Sequence, residues 1–520
     1  MGALLLACAQ GFGGAFDSRG DVPPVGRARR SLRAAYPPVL LLEMGGPLSS
    51  VDAAWLRMED PTNLMMVTGI LVFEEPLDLR RVRSLLEKRL LAFDRFRQRV
   101  VEAPFGIGPP HWVDDDRFDL DAHLHRVALP APGDQAALEE LVGDLMSTPL
   151  DMSKPLWQIH LVEGYRGGSV FLSRLHHCIA DGIALVQLLL SLTDTTPRPG
   201  RVARPQRPVR SGSRLAVPVG VVASLLANPI ELIELAQGGV TVADTLQRLV
   251  LLPPDPKTVL KGRLGVTKRA AWSESVPLKN IKAAGARHGA TINDILITAV
   301  AGALRDYLEE RGEAVDEFEI RAAVPVNLRP IERGLELGNS FGLVFVSLPI
   351  SIADPFRRLT ELKLRMDEIK ASSEAIVSFG VLTALGIVPR QLHPPAIEFF
   401  GSKASVVMTN VPGPREPLYL AGKQIAEFMF WVPMSGHLGL GVSILSYAGD
   451  VMVGVAADAG LVPDPGRIVA AFERELKGLM MPASQRRRGV GRGEPKRPLS
   501  SPDRPRRRAG AARGAAAPGD

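Results

Sequence analysis

The sequence predicts an α/β protein made of two halves of similar build. Its 520 residues exceed what one hydrophobic core usually holds, since single cores stop growing near roughly 250 to 300 residues. A Pro- and Arg-rich break at 195–218 separates a first half, 46–195, from a second half, 271–480. Both halves alternate helix-like and strand-like hydrophobic patterns, which favours mixed layers of helices and strands.

In the first half, hydrophobic spacing predicts a helix over 79–91 and strands over 158–162 and 169–175. The run GIALVQLLLSL, which starts at Gly182, predicts another helix. The segment 196–270 is expected to be a linker followed by short crossover helices, because its apolar part is interrupted by Gly, Asn and Pro. Binding of these helices to a membrane surface is the alternative.

In the second half, Thr291 opens a long helix whose apolar residues recur with the 3.6-residue period. Strand-like segments follow it, with a turn at 448–450 between the last two. We place these strands at 321–326, 343–348, 405–408, 440–445 and 451–455.

The charge distribution argues against a nucleic-acid partner. The chain carries a net +6, but the tail from 485 to 520 has eleven Lys and Arg against three acidic residues, a net +8. This tail, 481–520, and the Gly-, Arg- and Pro-rich extension 1–45 lack the apolar residues needed to fold, so we expect both to be disordered. A solvated tail is preferred to one that binds nucleic acid or an anionic membrane.

The cysteine content and the apolar runs point to a cytoplasmic protein. Only Cys8 and Cys178 are present, so no disulfide framework is expected. No stretch reaches about 18 uninterrupted apolar residues, and the start lacks the basic region of a secretory signal. Peripheral contact with the inner face of the cell membrane or with lipid inclusions remains open.

The segment 176–182 (HHCIADG) carries the clearest chemical signal. It lies where a strand is expected to end and a helix to begin. Because successive strand side chains point to opposite faces, His176 and His177 cannot both face one cavity. One of them is suited to act as a general base near neutral pH, and Asp181 can hold the loop through an arginine or through backbone amides. A histidine pair buried in a core strand is the structural alternative.

This HHxxxDG segment resembles the signature of the CoA-dependent acyltransferase superfamily, which includes chloramphenicol acetyltransferase and condensation domains. Further segments, in matching order across roughly 46–480, resemble the bacterial wax ester synthase/diacylglycerol acyltransferase family. They are 47–52 (PLSSVD), 155–157 (PLW), 293–294 (ND), 325–329 (PVNLR), 338–342 (GNSFG) and 409–414 (TNVPGP). The extension 1–45 and the tail have no counterpart in this pattern.

The resemblance implies two chloramphenicol-acetyltransferase-like halves with an active-site tunnel between them. It also implies that His177 is the catalytic base and Asp181 a structural aspartate, with His176 in support. The implied reaction transfers a long-chain acyl group from acyl-CoA to diacylglycerol or a long-chain alcohol. A thiolate route through Cys178 is disfavoured, because neighbouring residues on an extended chain point apart. We therefore expect direct transfer in a ternary complex, without an acyl-enzyme.

Five residues are candidate substrate contacts, each with a structural alternative. Gly182 suits the tight entry into a helix, and Trp157 is favoured as a core anchor. Asn293 lies beside a capping box, yet its amide could stabilise an oxyanion. Arg329 could pair with a carboxylate or a CoA phosphate. Asn410 belongs to a Pro- and Gly-containing segment that would serve as a gate or as a rigid turn.

No metal or other cofactor is expected, because no Cys/His grouping has ligand spacing and no Gly-rich loop follows a strand. Acyl-CoA would be a co-substrate. Two rival functions remain. One is an acyltransferase of the same superfamily that takes its donor from a carrier protein; the other is a lipid-droplet or membrane-binding protein without turnover.

Overall fold

The computed structural model describes residues 44–103, 108–198, 242–328, 337–370, 372, 374–387, 393–434 and 436–481. The predicted tail and nearly all of the predicted extension lie outside this part of the chain, as does most of the predicted linker. The described residues as far as Met480 belong to one compact unit. Within them, no helix combines the length and the apolar character needed to cross a bilayer.

Helices and strands alternate along the chain. The helices are α1 Ser50–Arg57, α2 Leu79–Leu85, α3 Gln135–Ser147, α4 Gly182–Leu192, α5 Val242–Leu251, α6 Leu278–His288, α7 Ile292–Glu310, α8 Pro355–Lys370, α9 Glu374–Ile387, α10 His393–Gly401 and α11 Pro465–Met480. The strands are β1 Met44–Pro47, β2 Met66–Phe73, β3 Gln98–Val101, β4 His111–Asp114, β5 Leu124–Ala128, β6 Trp157–Tyr165, β7 Gly168–His176, β8 Lys268–Trp272, β9 Val276–Pro277, β10 Ile320–Asn327, β11 Phe341–Leu348, β12 Val406–Pro412, β13 Tyr419–Leu420, β14 Lys423–Gln424, β15 Glu427–Trp431, β16 Leu440–Tyr447 and β17 Asp450–Asp458.

The first large sheet has the strand order β15-β2-β7-β6-β5. Its central strands β2, β7 and β6 are antiparallel neighbours, whereas β5 runs parallel to β6. The edge strand β15 comes from the second half of the sequence and pairs antiparallel with β2. The two predicted halves therefore share one sheet, because a strand of the second half covers an edge strand of the first half.

The second large sheet has the order β11-β10-β12-β16-β17-β8, with β9 paired to β17. Its main core lies between the sheet and the helices α7 and α11 and includes Leu304 and Phe472, which are almost fully buried. The helix predicted to open at Thr291 is confirmed. Thr291 accepts a bond from the Asp294 backbone N–H, and the Asp294 carboxylate accepts one from the Thr291 N–H, which completes the predicted capping box.

In two segments the structure has a different kind of element from the one predicted. The helix predicted over 79–91 changes after Leu85 into a π-helical turn, Leu86–Leu90. The segment 409–414 was expected to be a loop because it contains Pro and Gly, but β12 continues to Pro412. The reason is long-range pairing, since Thr409 through Pro412 lie in parallel register with Ser443 through Ser446.

A tryptophan-containing core joins the two sheets. Trp431 of β15 is 1% exposed and meets Trp272 of β8 edge to face, with ring centroids 5.3 Å apart. Apolar residues of β2, β6, β7 and α3 belong to the same cluster. A Cβ at Gly454 would lie 2.6 Å from the Trp431 indole nitrogen, so a glycine in β17 leaves the space for this ring.

We expect Trp431→Ala to lower the free energy of unfolding by about 3 to 5 kcal/mol, because a fully buried aromatic ring leaves a cavity. Urea denaturation followed by fluorescence and by circular dichroism measures this. Leu251→Ala is the control, since Leu251 is 68% exposed, and its effect should stay within about 0.5 kcal/mol. Two separate transitions, of which Trp431→Ala shifts only one, would show that the halves unfold independently and would contradict the shared core.

Candidate active site

The HHCIADG segment connects β7 to α4, as the sequence predicts. The strand ends at His176, and the helix begins at Gly182. Asp181 caps the helix, because its Oδ1 accepts a bond of 2.9 Å from the backbone N–H of Ala184. The short loop between strand and helix carries the second histidine at a point where both halves of the protein meet.

His176 is held in the core. Its side chain is fully buried, and Nδ1 accepts a hydrogen bond of 3.1 Å from the backbone N–H of Cys178. A neutral ring with an accepting Nδ1 carries its proton on Nε2, which lies 2.9 Å from Oε2 of Glu59. Glu59 also accepts a bond from the N–H of Met65. His176 therefore supports the loop and does not share the surroundings of His177.

His177 lies in an aromatic enclosure. Its ring stacks on the indole of Trp55, with centroids 4.4 Å apart and an angle of 21° between the planes. The ring of Phe341, from the second half, lies 5.7 Å away. Burial lowers the pKa of His177 to about 4, although the nearby charge of Asp181 acts in the opposite direction. The imidazole is therefore neutral at physiological pH, as a general base must be.

A group of polar contacts, which we call the clasp, holds this loop and consists of Asp52, Asp181, Gly338, Asn339 and Ser340. The Asn339 amide Nδ2 donates to the carbonyl oxygen of His177 at 2.7 Å and to Oδ1 of Asp52 at 2.8 Å. The Asn339 backbone N–H donates to the same Asp52 oxygen at 3.0 Å. One side chain from the second half thus ties the HHCIADG loop to α1 of the first half.

The rest of the clasp holds Asp181. Its backbone N–H donates to the carbonyl of Gly338, and its Oδ2 accepts a bond of 3.0 Å from the N–H of Ser340. Gly338 has a φ of +117°, which residues with a side chain rarely adopt. A Cβ added there would lie 3.4 Å from the Asp52 carboxylate. Of the two roles proposed for Asp181, the structure shows it holding backbone amides, one from each half.

Asn293 and Asn410 lie together. Nδ2 of Asn410, on β12, donates to Oδ1 of Asn293 in the first turn of α7 at a distance of 2.7 Å. This bond uses the carbonyl oxygen of Asn293 and leaves its NH₂ group as a donor. The capping box beside it is formed by Thr291 and Asp294, so Asn293 is not needed to cap the helix.

The remaining predicted contacts have different surroundings. Trp157 is 1% exposed, and its indole N–H donates to the carbonyl of Phe96 at 3.0 Å, so it packs as a core anchor. Gly182 faces the second half, because a Cβ there would lie 3.5 Å from Val411. Arg329 lies outside the described residues.

Cys178 is a buried thiol. It is 1% exposed, and burial raises the pKa of its thiol well above the usual value. The thiolate needed for nucleophilic attack is therefore disfavoured at neutral pH.

Sequence comparison identifies the family. Residues 48–296 match the family model for the wax ester synthase/diacylglycerol acyltransferase catalytic domain, and 337–480 match that for the family's C-terminal domain. A probable diacylglycerol O-acyltransferase of Mycobacterium tuberculosis is 32% identical over 463 residues, which cover 86% of this chain and 97% of that protein. The chain belongs to the wax ester synthase/diacylglycerol acyltransferase family. It is accordingly an acyltransferase.

Solved structures confirm the predicted α/β fold class. The wax ester synthase/diacylglycerol acyltransferase from Marinobacter aquaeolei VT8 superposes with a TM-score of 0.62 at 25% identity, covering 84% of this chain and 98% of that one. The first condensation domain of the calcium-dependent antibiotic synthetase gives a TM-score of 0.55 at 15% identity, covering 84% of this chain and 95% of that domain. At that identity, the likeness to the condensation domain concerns the fold alone.

Sequence reasoning did not assign roles to Asp52, Trp55, Glu59 or Asn339. Asp52 and Asn339 belong to the PLSSVD and GNSFG segments, and both are buried. The available signal was the polar side chains in these two short segments. If such side chains are buried, each needs a hydrogen-bond partner. Their partnership joins positions 287 residues apart, and no local periodicity reveals it.

We expect Asn339→Ala to lower the acyltransferase kcat by about 10²-fold, because the carbonyl of His177 and the carboxylate of Asp52 lose the side-chain amide donor and His177 moves from its position. Substrate KM should change little. The kinetics are measured on protein shown by circular dichroism to be folded.

Gln98→Ala provides the matched control. Gln98 is also buried, and its Nε2 donates to Asp114 at 2.8 Å, away from the loop. This variant should lose about 1 to 3 kcal/mol of stability without losing kcat. Equal kcat in the Asn339 variant and the wild type would show that the clasp does not position a residue that the reaction needs.

Proposed function

We propose that this acyltransferase moves a long-chain acyl group from acyl-CoA to the hydroxyl of diacylglycerol or of a long-chain alcohol, with His177 as the general base. The observation that carries the proposal is the setting of His177. Its neutral imidazole lies in an aromatic enclosure, on a loop that both halves hold. Leu175 and Gly182, which flank the segment 176–181, line an apolar pocket beside α4. The family's description and the name of the mycobacterial relative support the choice of substrates.

In the proposed reaction, His177 removes the proton of the acceptor hydroxyl while the oxygen attacks the thioester carbonyl. The tetrahedral intermediate collapses with cleavage of the C–S bond, and CoA leaves as the thiolate. The proton held by His177 then passes to this thiolate or to solvent, so the base is regenerated. The reaction uses acyl-CoA as co-substrate and no further cofactor.

Transfer is proposed to be direct, in a ternary complex. The nearest sulfur nucleophile in the sequence, Cys178, is buried and has a raised pKa, which argues against an acyl-enzyme. A stable covalent acyl adduct, trapped after incubation with acyl-CoA alone and detected by mass spectrometry, would refute this mechanism.

Asn293 is proposed to stabilise the oxyanion of the tetrahedral intermediate. Asn410 holds the Asn293 carbonyl at 2.7 Å and so orients the remaining NH₂ donor. A fixed amide donor of this kind contributes more to a developing charge than to the neutral ground state. Arg329 remains a candidate for a CoA phosphate or for a carboxylate.

The acceptor is a lipid, so we propose that the protein works in the cytoplasm in peripheral contact with the inner face of the membrane or with lipid inclusions. Leu190 on α4 and Ile376 on α9 support this contact, since they are 48% and 62% exposed although both are large and apolar. Supplying the acceptor in vesicles and separating them by flotation shows whether the enzyme is bound to the lipid.

The test of the function is release of CoA from palmitoyl-CoA by the purified protein, with dipalmitoylglycerol or hexadecanol as acceptor. Release should depend on the acceptor, and His177→Ala should slow it by roughly 10²- to 10⁴-fold, because one positioned general base is lost. His125→Ala is the control, since His125 contacts His160 on the neighbouring strands β5 and β6.

Each alternative outcome has a distinct meaning. Full activity of His177→Ala would exclude it as the base. Failure of both acceptors to stimulate release would remove the lipid assignment and direct the next assay to acyl groups on a carrier protein.

The pH dependence follows from the burial of His177. Its pKa of about 4 lies below the usual value of about 6.5, so the neutral base persists to low pH and kcat/KM should fall only as the pH approaches 4. The unfolded state takes up this proton first, so the stability contributed by the neutral ring is present above about pH 6.5 and is lost as the pH falls toward 4.

Trp55→Ala should move the acidic limb of the kcat/KM profile upward, toward about 6.5, because water reaches the imidazole. Trp55→Phe keeps an aromatic ring against His177 and should keep the limb low. A limb near 6.5 already in the wild type would contradict the neutral, buried base.

A further inference from the structure

One carboxylate oxygen of Glu59, which follows α1 in the sequence, has two partners. Oε2 accepts a hydrogen bond of 3.1 Å from the backbone N–H of Met65. The same oxygen lies 2.9 Å from Nε2 of His176, whose side chain is fully buried. Only 13% of the Glu59 side chain is exposed, so its charge acts mainly on these two neighbours.

Met65 makes the first connection between Glu59 and His177. The N–H of Met65 donates to the Glu59 carboxylate, and its carbonyl oxygen accepts a bond of 2.7 Å from the backbone N–H of His177. Met65 is itself fully buried. Because this residue is bonded at both its N–H and its carbonyl, the position of the carboxylate determines where the His177 amide is held.

His176 makes the second connection. Its Nδ1 accepts a bond of 3.1 Å from the backbone N–H of Cys178. A proton on Nδ1 would point at this N–H, so the ring carries its proton on Nε2, on the side of Glu59. Rotation of the ring would release the Cys178 amide, and the carboxylate next to Nε2 opposes that rotation.

The two connections hold the backbone on both sides of His177. Its own N–H is bonded to Met65, and the next N–H along the chain, that of Cys178, is bonded to His176. These two amides belong to the planar peptide groups before and after the His177 Cα. They therefore fix the direction in which the imidazole leaves the backbone.

The first-half residues that hold His177 come from α1 and the residues just after it. Asp52, Trp55 and Glu59 are spaced by three and four residues, the spacing of one helix face. Asp52 shares the Asn339 amide with the His177 carbonyl, and Trp55 stacks on the imidazole. Glu59 adds the backbone amides, so each part of His177 has its own support.

We propose that Glu59 is a positioning residue for His177 and acts through Met65 and His176. The inference rests on the proposed function, which makes His177 the base, and adds to it a residue that orients the base without touching substrate. A carboxylate suits this role. One ionised oxygen can accept from two donors, and hydrogen bonds to ionised groups are about twice as strong as those between neutral groups.

The first test compares Glu59→Ala with Glu59→Gln, with palmitoyl-CoA and hexadecanol as substrates. Glu59→Ala should lower kcat by about 10²-fold and leave KM nearly unchanged, because the base moves while the substrate sites remain. Glu59→Gln keeps an acceptor oxygen for both donors and should recover most of this loss. Wild-type kcat in Glu59→Ala, or an equal loss in both variants, would overturn the proposal.

His176→Asn separates the two connections. The Asn Oδ1 can replace Nδ1 as the acceptor for the Cys178 N–H, but the shorter side chain does not reach Glu59. This variant should lower kcat less than Glu59→Ala does, since the connection through Met65 remains. Adding Glu59→Ala to it should then cost less than Glu59→Ala costs in the wild type, because the two changes remove one shared connection.

The variant His176→Asn also keeps the test decisive if Glu59→Ala does not fold, which circular dichroism shows. Wild-type kcat in His176→Asn would overturn the connection through His176. Fully additive losses in the double variant would overturn it as well.

Hydrogen exchange followed by mass spectrometry gives a readout that does not depend on turnover. The amides of His177 and Cys178 should exchange faster in Glu59→Ala than in the wild type, because both lose their support. Asp255→Ala is the matched control. Asp255 is also a buried carboxylate that accepts a backbone bond, of 2.8 Å from the Arg321 N–H, but it lies away from this loop.

The control should lose stability without a change in kcat or in the exchange of these two amides. Unchanged exchange in Glu59→Ala would overturn the proposal. Full activity of His177→Ala would instead refute the proposed function, and the exchange result would still show whether Glu59 holds the loop.

Discussion

The hydrogen bonds made by Asn339 are the constraint on which the active site depends. One amide group binds the carbonyl of His177 and the carboxylate of Asp52, so a side chain of the second half fixes a loop and a helix of the first. Asp52 is 3% exposed, and burial raises its pKa while the bonds from Asn339 oppose this effect. A buried carboxylate without hydrogen-bond donors costs free energy. Separation of the halves would therefore either expose the Asp52 carboxylate to water or leave it buried without the Asn339 donors.

The strand β15, which the second half contributes to the first sheet, also holds the two halves together. β15 completes the edge of the first sheet, and Trp431 on it enters the core between the sheets. The segment 338–340 and β15 therefore bring the second half onto the first at two places, one at the catalytic loop and one at the sheet edge. Because both contacts are made, the position of His177 depends on the packing of both halves. This packing gives the loop the rigidity that catalysis requires.

The parts of this structure that were predicted from the sequence are those with local signals. The period of the apolar residues after Thr291 gave the long helix, the spacing of Thr291 and Asp294 gave its cap, and HHCIADG gave the strand-to-helix loop. The missed features depend on partners far along the chain. Nothing near Asp52 indicates Asn339, and Pro412 ends a strand only because a parallel neighbour lies beside it.

Among the individual site residues, too, those with distant partners could not be predicted from the sequence. The pairing of His177 with Trp55 could not be read from spacing, since a tryptophan at one position of a short helix usually serves packing. The stacked geometry makes it part of the base's environment. The pairing of Gly69 in β2 with Ser173 in β7 likewise depends on cross-strand register, which neither strand shows when taken alone.

The low pKa of His177 raises a question about its strength as a base, because proton transfer is most efficient when the pKa lies near the working pH. The answer lies in which charges remain when the ring becomes protonated. The Asp181 carboxylate is the neighbouring group that raises this pKa most, and it is held in place by bonds from the backbone N–H groups of Ala184 and Ser340. In the free protein the apolar enclosure outweighs the effect of this carboxylate.

In the transition state, where the imidazole carries positive charge beside an oxyanion, the fixed carboxylate and the new anion both favour the protonated ring, and exclusion of water strengthens both effects. In the proposed mechanism, Asp181 stabilises the protonated His177 from the same position that caps α4, and the enclosure that keeps His177 neutral at rest makes that stabilisation specific to the transition state.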